Sequence, residues 1–384
     1  MRIAQVAPLH ESVPPRLYGG TERVVHFLTE ELVRQGHEVT LFASGDSRTS
    51  ARLRAVVPRA LRLDPSCRDP VAPHILLVDQ AARLSREFDI VHFHTDYLHF
   101  PLMRYVDVPH VTTLHGRLDT PELGAVFDAF PDMPVVSISD SQRRPLPQAR
   151  WVGTVYNGLP EELYTFRPEP GDYLVFLGRI APEKRPDRAI QIAVRAGVPL
   201  KVAAKIDKVD QEYYQTVVRP LMEHPLVEYV GEVNEREKDE LLGGALGLLF
   251  PIDWPEPFGL VMTEAMACGT PVIAFPLGAV PEVMRDGVTG YVVRSVDEAV
   301  AAVERLPQID RAACRRHFEE RFSARRMARD YVAVYRRILE ARERARRAVY
   351  TRAARAEPCP PLKAARGAAP SAAQTPPAAG GGAA

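Results

Sequence analysis

The chain has no excess charge: 49 Lys and Arg offset 49 Asp and Glu among 384 residues. A global field that would gather nucleic acid is therefore excluded as a main driver of binding. Cysteine is scarce. Cys67, Cys268, Cys314 and Cys359 are scattered and form no Cys-x-x-Cys pair, which argues against disulfides and structural zinc and fits a reducing cytoplasm. No apolar run approaches the length of a membrane span, and residues 1–8 read as a core strand rather than a secretory signal. Asp-x-Asp is missing as well. A compact carboxylate pair that would hold a divalent ion against a diphosphate is thus not supplied in its usual form. The expectation is a soluble cytoplasmic protein, long enough for two domains. Peripheral membrane contact through the Arg-rich stretch 310–345 stays open beside the plainer reading of a solvated helix face.

What is present is a repeated alternation. Short apolar runs at 3–8, 39–43, 90–94, 111–115 and 135–139 alternate with amphipathic stretches such as 22–35, where Val24, Phe27, Leu28 and Leu32 share one face. Gly36 suits the stop of that helix. The stretch 58–73 reads as a loop, and 161–172 as a linker. The pattern then restarts, with strands expected at 173–177, 200–204, 227–230, 246–250, 272–275 and 290–293. Helices are expected at 187–195, 212–222, 235–242, 260–267, 297–306 and 310–345. Near-continuous apolar strands between helices indicate parallel sheets covered on both faces. The fold class is α/β, with two Rossmann-like doubly wound domains, 1–160 and 173–309, facing a cleft. Ligands in such sheets bind at the carboxyl ends of the strands. Residues 353–384 are Ala, Pro and Gly with little else and read as a disordered tail.

Four clusters fall at strand ends or helix starts. Gly19-Gly20, in Pro14-Pro15-Arg16-Leu17-Tyr18-Gly19-Gly20-Thr21-Glu22, either makes a plain strand-to-helix turn or lets backbone approach a ligand closely. His115 closes a buried strand and points to the cleft mouth, or is a satisfied core histidine. His92 and His94 share one face of a neighbouring strand, with no third residue at metal-ligand spacing. Arg179 and Lys184, in Gly178-Arg179-Ile180-Ala181-Pro182-Glu183-Lys184, follow the first strand of the second sheet and either converge on a diphosphate or form a surface salt-bridge loop. The fourth cluster is Trp254-Pro255-Glu256-Pro257-Phe258-Gly259-Leu260-Val261-Met262-Thr263-Glu264. A helix starting near Phe258 leaves its first amides free, and its positive end attracts phosphate. Glu264 lies roughly 7–9 Å along that helix at ~1.5 Å per residue, a distance that suits a ribose beside the phosphate. Its apolar neighbours bury it, so it needs a partner. Glu256, between prolines, is held extended and faces the sugar side. Gly278-Ala279-Val280-Pro281-Glu282 reads as the far wall of the cleft.

Assembled in this order, the clusters resemble the retaining glycosyltransferases of the two-Rossmann GT-B fold, family four, from residue 1 to about residue 340. Glu256 and Glu264 match the family's pair of glutamates seven residues apart. Gly178-Arg179 and Glu183-Lys184 match its diphosphate loop, and Gly19-Gly20 and His115 its first-domain sites. The helices at 310–343 look like the family's C-terminal pair, which crosses back onto the first domain. Two departures stand out. The family often has Gly after the loop lysine, where this chain has Arg185, and a hydrophobic residue and Asp after Tyr156-Asn157-Gly158, where this chain has Leu159 and Pro160.

The resemblance implies a hexosyltransferase using a nucleotide-sugar, UDP- or GDP-linked, as substrate, with no cofactor and no metal. It implies that Arg179, Lys184, Phe258, Gly259, Leu260 and Thr263 hold the diphosphate end, and that Glu264 binds the ribose. Glu256 grips the sugar, His115 contacts sugar or acceptor, and Gly19-Gly20 completes the site. The hydroxyl acceptor, whether lipid, polysaccharide or small metabolite, stays open. Rival readings are a nucleotide-sugar epimerase of similar fold and a nucleotide-sugar binding protein without turnover.

Overall fold

Apolar runs long enough to be buried on both faces form the central strands of two parallel sheets. A computed structural model describes residues 1–16 and 19–355, the last seven as backbone only. The first sheet comprises Arg2–Val6 (β1), Glu38–Ala43 (β2), Arg52–Ala55 (β3), Ile90–Phe93 (β4), His110–Thr113 (β5), Pro134–Ser137 (β6) and Arg150–Thr154 (β7). Its strand order is β3-β2-β1-β4-β5-β6-β7. The second comprises Leu174–Arg179 (β8), Leu200–Lys205 (β9), Val227–Gly231 (β10), Gly247–Phe250 (β11), Val272–Ala274 (β12) and Gly290–Val292 (β13), ordered β10-β9-β8-β11-β12-β13. All named pairings are parallel. The two-domain α/β architecture expected from the alternation, and the GT-B form implied by the resemblance, are those observed. The strand order reverses between β1 and β4 in one sheet and between β8 and β11 in the other, and such switch points open a crevice beyond the strand ends.

Six helices matter for the site or its frame: Gly20–Arg34 (α1), Pro186–Ala196 (α2), Glu235–Gly243 (α3), Leu260–Ala267 (α4), Arg311–Arg321 (α5) and Ala324–Arg355 (α6). Helix α1 buries Val24, Val25, Phe27, Leu28 and Leu32 on one face, the stripe expected of an amphipathic helix. A capping box between Asn234 and Glu237 starts α3.

The stretch 310–345, expected to carry a pair of helices, is divided between α5 and α6. The helix breaks at Phe322 and Ser323 because Leu159, just before the linker, claims its backbone. Leu159 N–H donates to Phe322 O (2.9 Å), and Ala324 N–H donates to Leu159 O (2.7 Å). A continuous helix would need those groups for itself. Phe322 packs edge-on to Phe258 (5.9 Å between centroids), so the break sits directly behind α4. The first part of α6 crosses back onto the first sheet, where Tyr331 and Tyr335 are fully buried. The span 342–355 forms a separate unit, in which Arg347 pairs with Glu343. Of the expected tail, 353–355 still belong to α6 and the rest lies outside the described residues. No described helix is long and apolar enough to cross a membrane.

Candidate active site

A cavity of about 570 Å³ lies where the two switch points face each other. From the first sheet come the loops after β1, β4 and β5; from the second come those after β8 and β11. Two helix amino ends meet there. A Cβ built on Gly20, at the start of α1, would lie 3.9 Å from the side chain of Leu260, at the start of α4. Gly259 caps α4 with φ +82°, and a side chain there would strike Met262 at 2.8 Å. Glycine is thus required both for the left-handed turn and for space. Gly19, Gly20, Phe258, Gly259 and Leu260 all line the cavity.

Arg179 leaves the end of β8 into this cavity. Its guanidinium pairs with Glu183 and lies 3.7 Å from both Asp207 and Asp210. Lys184 pairs with the Glu256 carboxylate and lies 4.8 Å over the Trp254 ring, while Trp254 Nε1–H donates to Glu256 (3.0 Å). Glu256 is braced from behind. Ala279 N–H donates to its carbonyl (2.9 Å), and a Cβ at Gly278 would lie 2.2 Å from that oxygen. Arg185 takes the left-handed conformation, φ 55° and ψ 50°, at the start of α2. That explains why glycine is frequent there in the resembling family. Here the guanidinium is held by Asp187 and Asp253, both at 2.9 Å, which offsets a backbone cost of roughly 1 kcal/mol.

Glu264 is buried, 3 % exposed, one turn into α4. Lys238 of α3 donates to it (2.9 Å), as does Arg23 of α1 (3.2 Å). Glu235 joins the network, 2.6 Å from Arg23 and 3.1 Å from Lys238. Burial alone would raise the Glu264 carboxyl; Lys238 and Arg23 outweigh it and hold the group below the ordinary carboxylate range. Arg23 belongs to the first sheet's domain and Glu264 to the second, so the network spans the floor of the cleft. On the opposite wall His115 bonds His94 (Nε2···Nδ1 2.9 Å).

The sequence matches the family of glycosyl transferases group 1 over residues 165–321 and that of glycosyltransferase family 4 over residues 18–158. This chain belongs to glycosyltransferase family four. It is 26 % identical over 330 residues to the phosphatidyl-myo-inositol mannosyltransferase of Mycobacterium leprae, covering 79 % of this chain and 86 % of the relative. It is 26 % identical over 392 residues to the glycogen synthase of Mycobacterium tuberculosis, covering 84 % and 93 %. The fold is shared with HepE of Anabaena, solved in complex with UDP and glucose (TM-score 0.67, 18 % identity, 87 % of this chain and 98 % of that one).

Two residues of this glycosyltransferase lie elsewhere than the motifs suggested. Thr263 is fully buried and does not line the cavity; its hydroxyl donates to Leu260 O (2.7 Å), the usual fate of a threonine inside a helix. Glu282 is a strut between the domains rather than a cleft wall. It accepts from the backbone N–H groups of Asp140 and Ser141, both at 2.7 Å, and from Tyr156 OH (3.2 Å). Motif reading also passed over residues of the cavity, among them Arg23, Lys238 and Asp96. Arg23 and Lys238 carry no local signal, being ordinary basic residues on amphipathic helices. Asp96 could have been found from its place just past a buried strand. It stands with φ 48° in the left-handed region, which non-glycine residues seldom adopt; although the residue is exposed at the cavity mouth, the crowded walls partly desolvate its carboxyl and push it up to about 6. Among the described residues no group of three or more His, Cys, Asp or Glu is placed to hold a metal ion.

Proposed function

We propose that the protein is a retaining hexosyltransferase that moves a hexose from a UDP- or GDP-linked donor to a hydroxyl acceptor, without a metal ion. The observation that carries this reading is the convergence of Arg179, Lys184, Glu256, Glu264 and the amino end of α4 on one cavity. In this reading the diphosphate sits at that helix end, between the two cations. Charge that builds on the leaving phosphate meets donors already in place, the arrangement that contributes most to such catalysis. The ribose hydroxyls donate to Glu264. Lys184 exchanges its contact with Glu256 for phosphate, and Glu256 turns to the sugar hydroxyls. The acceptor enters from the first-domain side, beside His115 and Asp96. Its oxygen bonds the anomeric carbon on the face the phosphate leaves, and its proton passes to a departing phosphate oxygen. HepE, of the same fold, binds UDP and glucose, which supports a uridine donor.

A thermal-shift screen of UDP- and GDP-hexoses in EDTA tests the donor, because a ligand that binds the folded state raises its melting temperature by mass action. NMR of the product's anomeric centre tests retention. No stabilisation by any nucleotide-sugar, an inverted product, or turnover only with a divalent ion would each defeat the corresponding part. Conversion of the donor to its epimer without acceptor would point to an epimerase instead.

A further inference from the structure

Behind His115 runs a chain of buried polar groups that ends on the C-terminal helix. His115 Nε2 meets His94 Nδ1 (2.9 Å), and His94 Nε2 meets Gln5 Oε1 (2.7 Å). Gln5 Nε2 donates to Tyr335 OH (3.1 Å), and Tyr335 OH meets His92 Nδ1 (2.7 Å). His92 Nε2 meets Thr113 Oγ1 (2.7 Å), which meets Tyr331 OH (2.9 Å). Gln5, His92, His94, Thr113, Tyr331 and Tyr335 are each at most 2 % exposed. The links come from β1, β4, β5 and α6, and the two tyrosines are one helical turn apart, so both hydroxyls reach the same sheet face. Burial keeps the histidines neutral: His92 and His94 are held well below the ordinary histidine range, and His115 is lowered to about 4.

A neutral imidazole has one N–H and one lone pair, so each link dictates the next. Gln5 turns its carbonyl to His94, which must therefore carry its proton on Nε2. His94 Nδ1 is then a lone pair and takes the proton of His115 Nε2. His115 Nδ1 is left unprotonated, has no hydrogen-bond partner among the described residues, and is open to the cavity. On the other side Gln5 donates to Tyr335, whose single proton goes to His92. The orientation of one amide thus propagates to the cleft.

We propose that Gln5 and Tyr335 are positioning residues that set the tautomer of His115, so that its Nδ1 meets the cleft only as an acceptor of a hydrogen bond from a ligand hydroxyl. The ligand's identity rests on the glycosyl-transfer reading; the tautomer does not. The consequence for the reaction is that His115 selects a hydroxyl, or another donor, at that point and rejects a carbonyl or carboxylate oxygen. A half-satisfied buried network is costly, so a role limited to cementing α6 would show as lost stability alone.

The test uses full-length protein labelled with nitrogen-15 on histidine, with His115→Gln to assign its ring signals. NMR at pH 7.5 is expected to show His115 protonated on Nε2. In Gln5→Met the His94 proton loses its acceptor. The His115 signals should become a tautomer mixture, and kcat should fall about 10- to 100-fold, the scale of a small misplacement at a reacting centre. KM for the donor should stay near wild type, because the nucleotide is held by the second domain. Gln5→Glu keeps an oxygen facing His94 and should restore the tautomer and most of kcat. Tyr335→Phe is a second route to the same disturbance if Gln5→Met does not fold. A wild-type His115 protonated on Nδ1 would overturn the proposal. So would unchanged tautomer and kcat in both variants with only a lower melting temperature. The tautomer is read without turnover, so failure to find any transfer would count against the functional reading and leave this one standing or falling on the spectrum.

Discussion

Replacing Glu264 with Gln separates structure from donor binding better than any other single change in the cleft. The substitution keeps the side-chain size and removes one charge. Two cations then face it with less compensation: Lys238, 7 % exposed at the side chain, and Arg23, 13 % exposed. Removing one partner of a buried ion pair typically costs about 3–5 kcal/mol. Glu235 remains 2.6 Å from Arg23 and 3.1 Å from Lys238 and, at 39 % side-chain exposure, is also solvated, so we reduce the expected loss to about 2–3 kcal/mol. That corresponds to a melting temperature lower by roughly 2–4 °C for a chain of this size. The same carboxylate is the proposed ribose acceptor, and a hydrogen bond to a charged group contributes about 1.5–3 kcal/mol, so UDP should bind roughly 10- to 100-fold more weakly by calorimetry. Glu256→Gln is the control. UDP lacks the transferred hexose that Glu256 is proposed to hold, so its affinity should stay within about twofold while transfer collapses. Wild-type UDP affinity and melting temperature in Glu264→Gln, or equal losses of UDP binding in both variants, would refute the division of labour between the two glutamates.

Arg179→Ala and Lys184→Ala should each lower kcat by about 10²–10³-fold, the usual cost of losing one preorganised charge on a leaving group, while circular dichroism stays native; near-normal turnover in either would remove that residue from the diphosphate site. Acid should destabilise the fold early. His92, His94, His99 and His115 are neutral when folded, with His115 lowered to about 4. The unfolded chain therefore binds more protons below pH ~6.5, and each histidine removes about 1.4 kcal/mol per pH unit as the pH falls toward its folded value. Denaturant midpoints at pH 7, 6 and 5 that do not move would contradict this. Asp96 runs the other way. Its carboxyl is raised to about 6, so its charged form opposes folding at pH 7, and Asp96→Asn should raise stability. The gain should be at most about 1 kcal/mol because water reaches the side chain, and acceptor KM should increase; a lower melting temperature would show that the carboxylate has a partner it depends on.

The central strands were legible because a strand covered on both faces must be apolar throughout, as in β4 and β11. Strands β3 and β7 were not. They are the edges of the first sheet, with exposed ends and residues such as Arg52, Arg54 and Arg150, so their pattern resembles a loop. Helix Val71–Leu84 was missed for a related reason: Ile75 and Leu76, each 62 % exposed, blur the stripe that would mark its buried face. The start of α4 was readable because Gly259 and the prolines before it leave the backbone few choices. The left-handed turn at Arg185 was not, since arginine carries no such preference; its bonds to Asp187 and Asp253 and its backbone bond to Ala181 help hold it there.

Local sequence by itself determined the central strands and most of the helices, which strand ends carry polar groups, and that two glutamates flank a helix start. Those features depend on dihedral preference and on periodic burial, which act over a few residues. Tertiary structure alone decided that Arg23 reaches Glu264 across 241 positions, that Lys184 faces Glu256, and that a tyrosine 330 residues from Gln5 completes the chain behind His115. Charge pairing and hydrogen bonding act over a few ångströms of space, and which groups come that close is settled only when both sheets and the returning helix have packed.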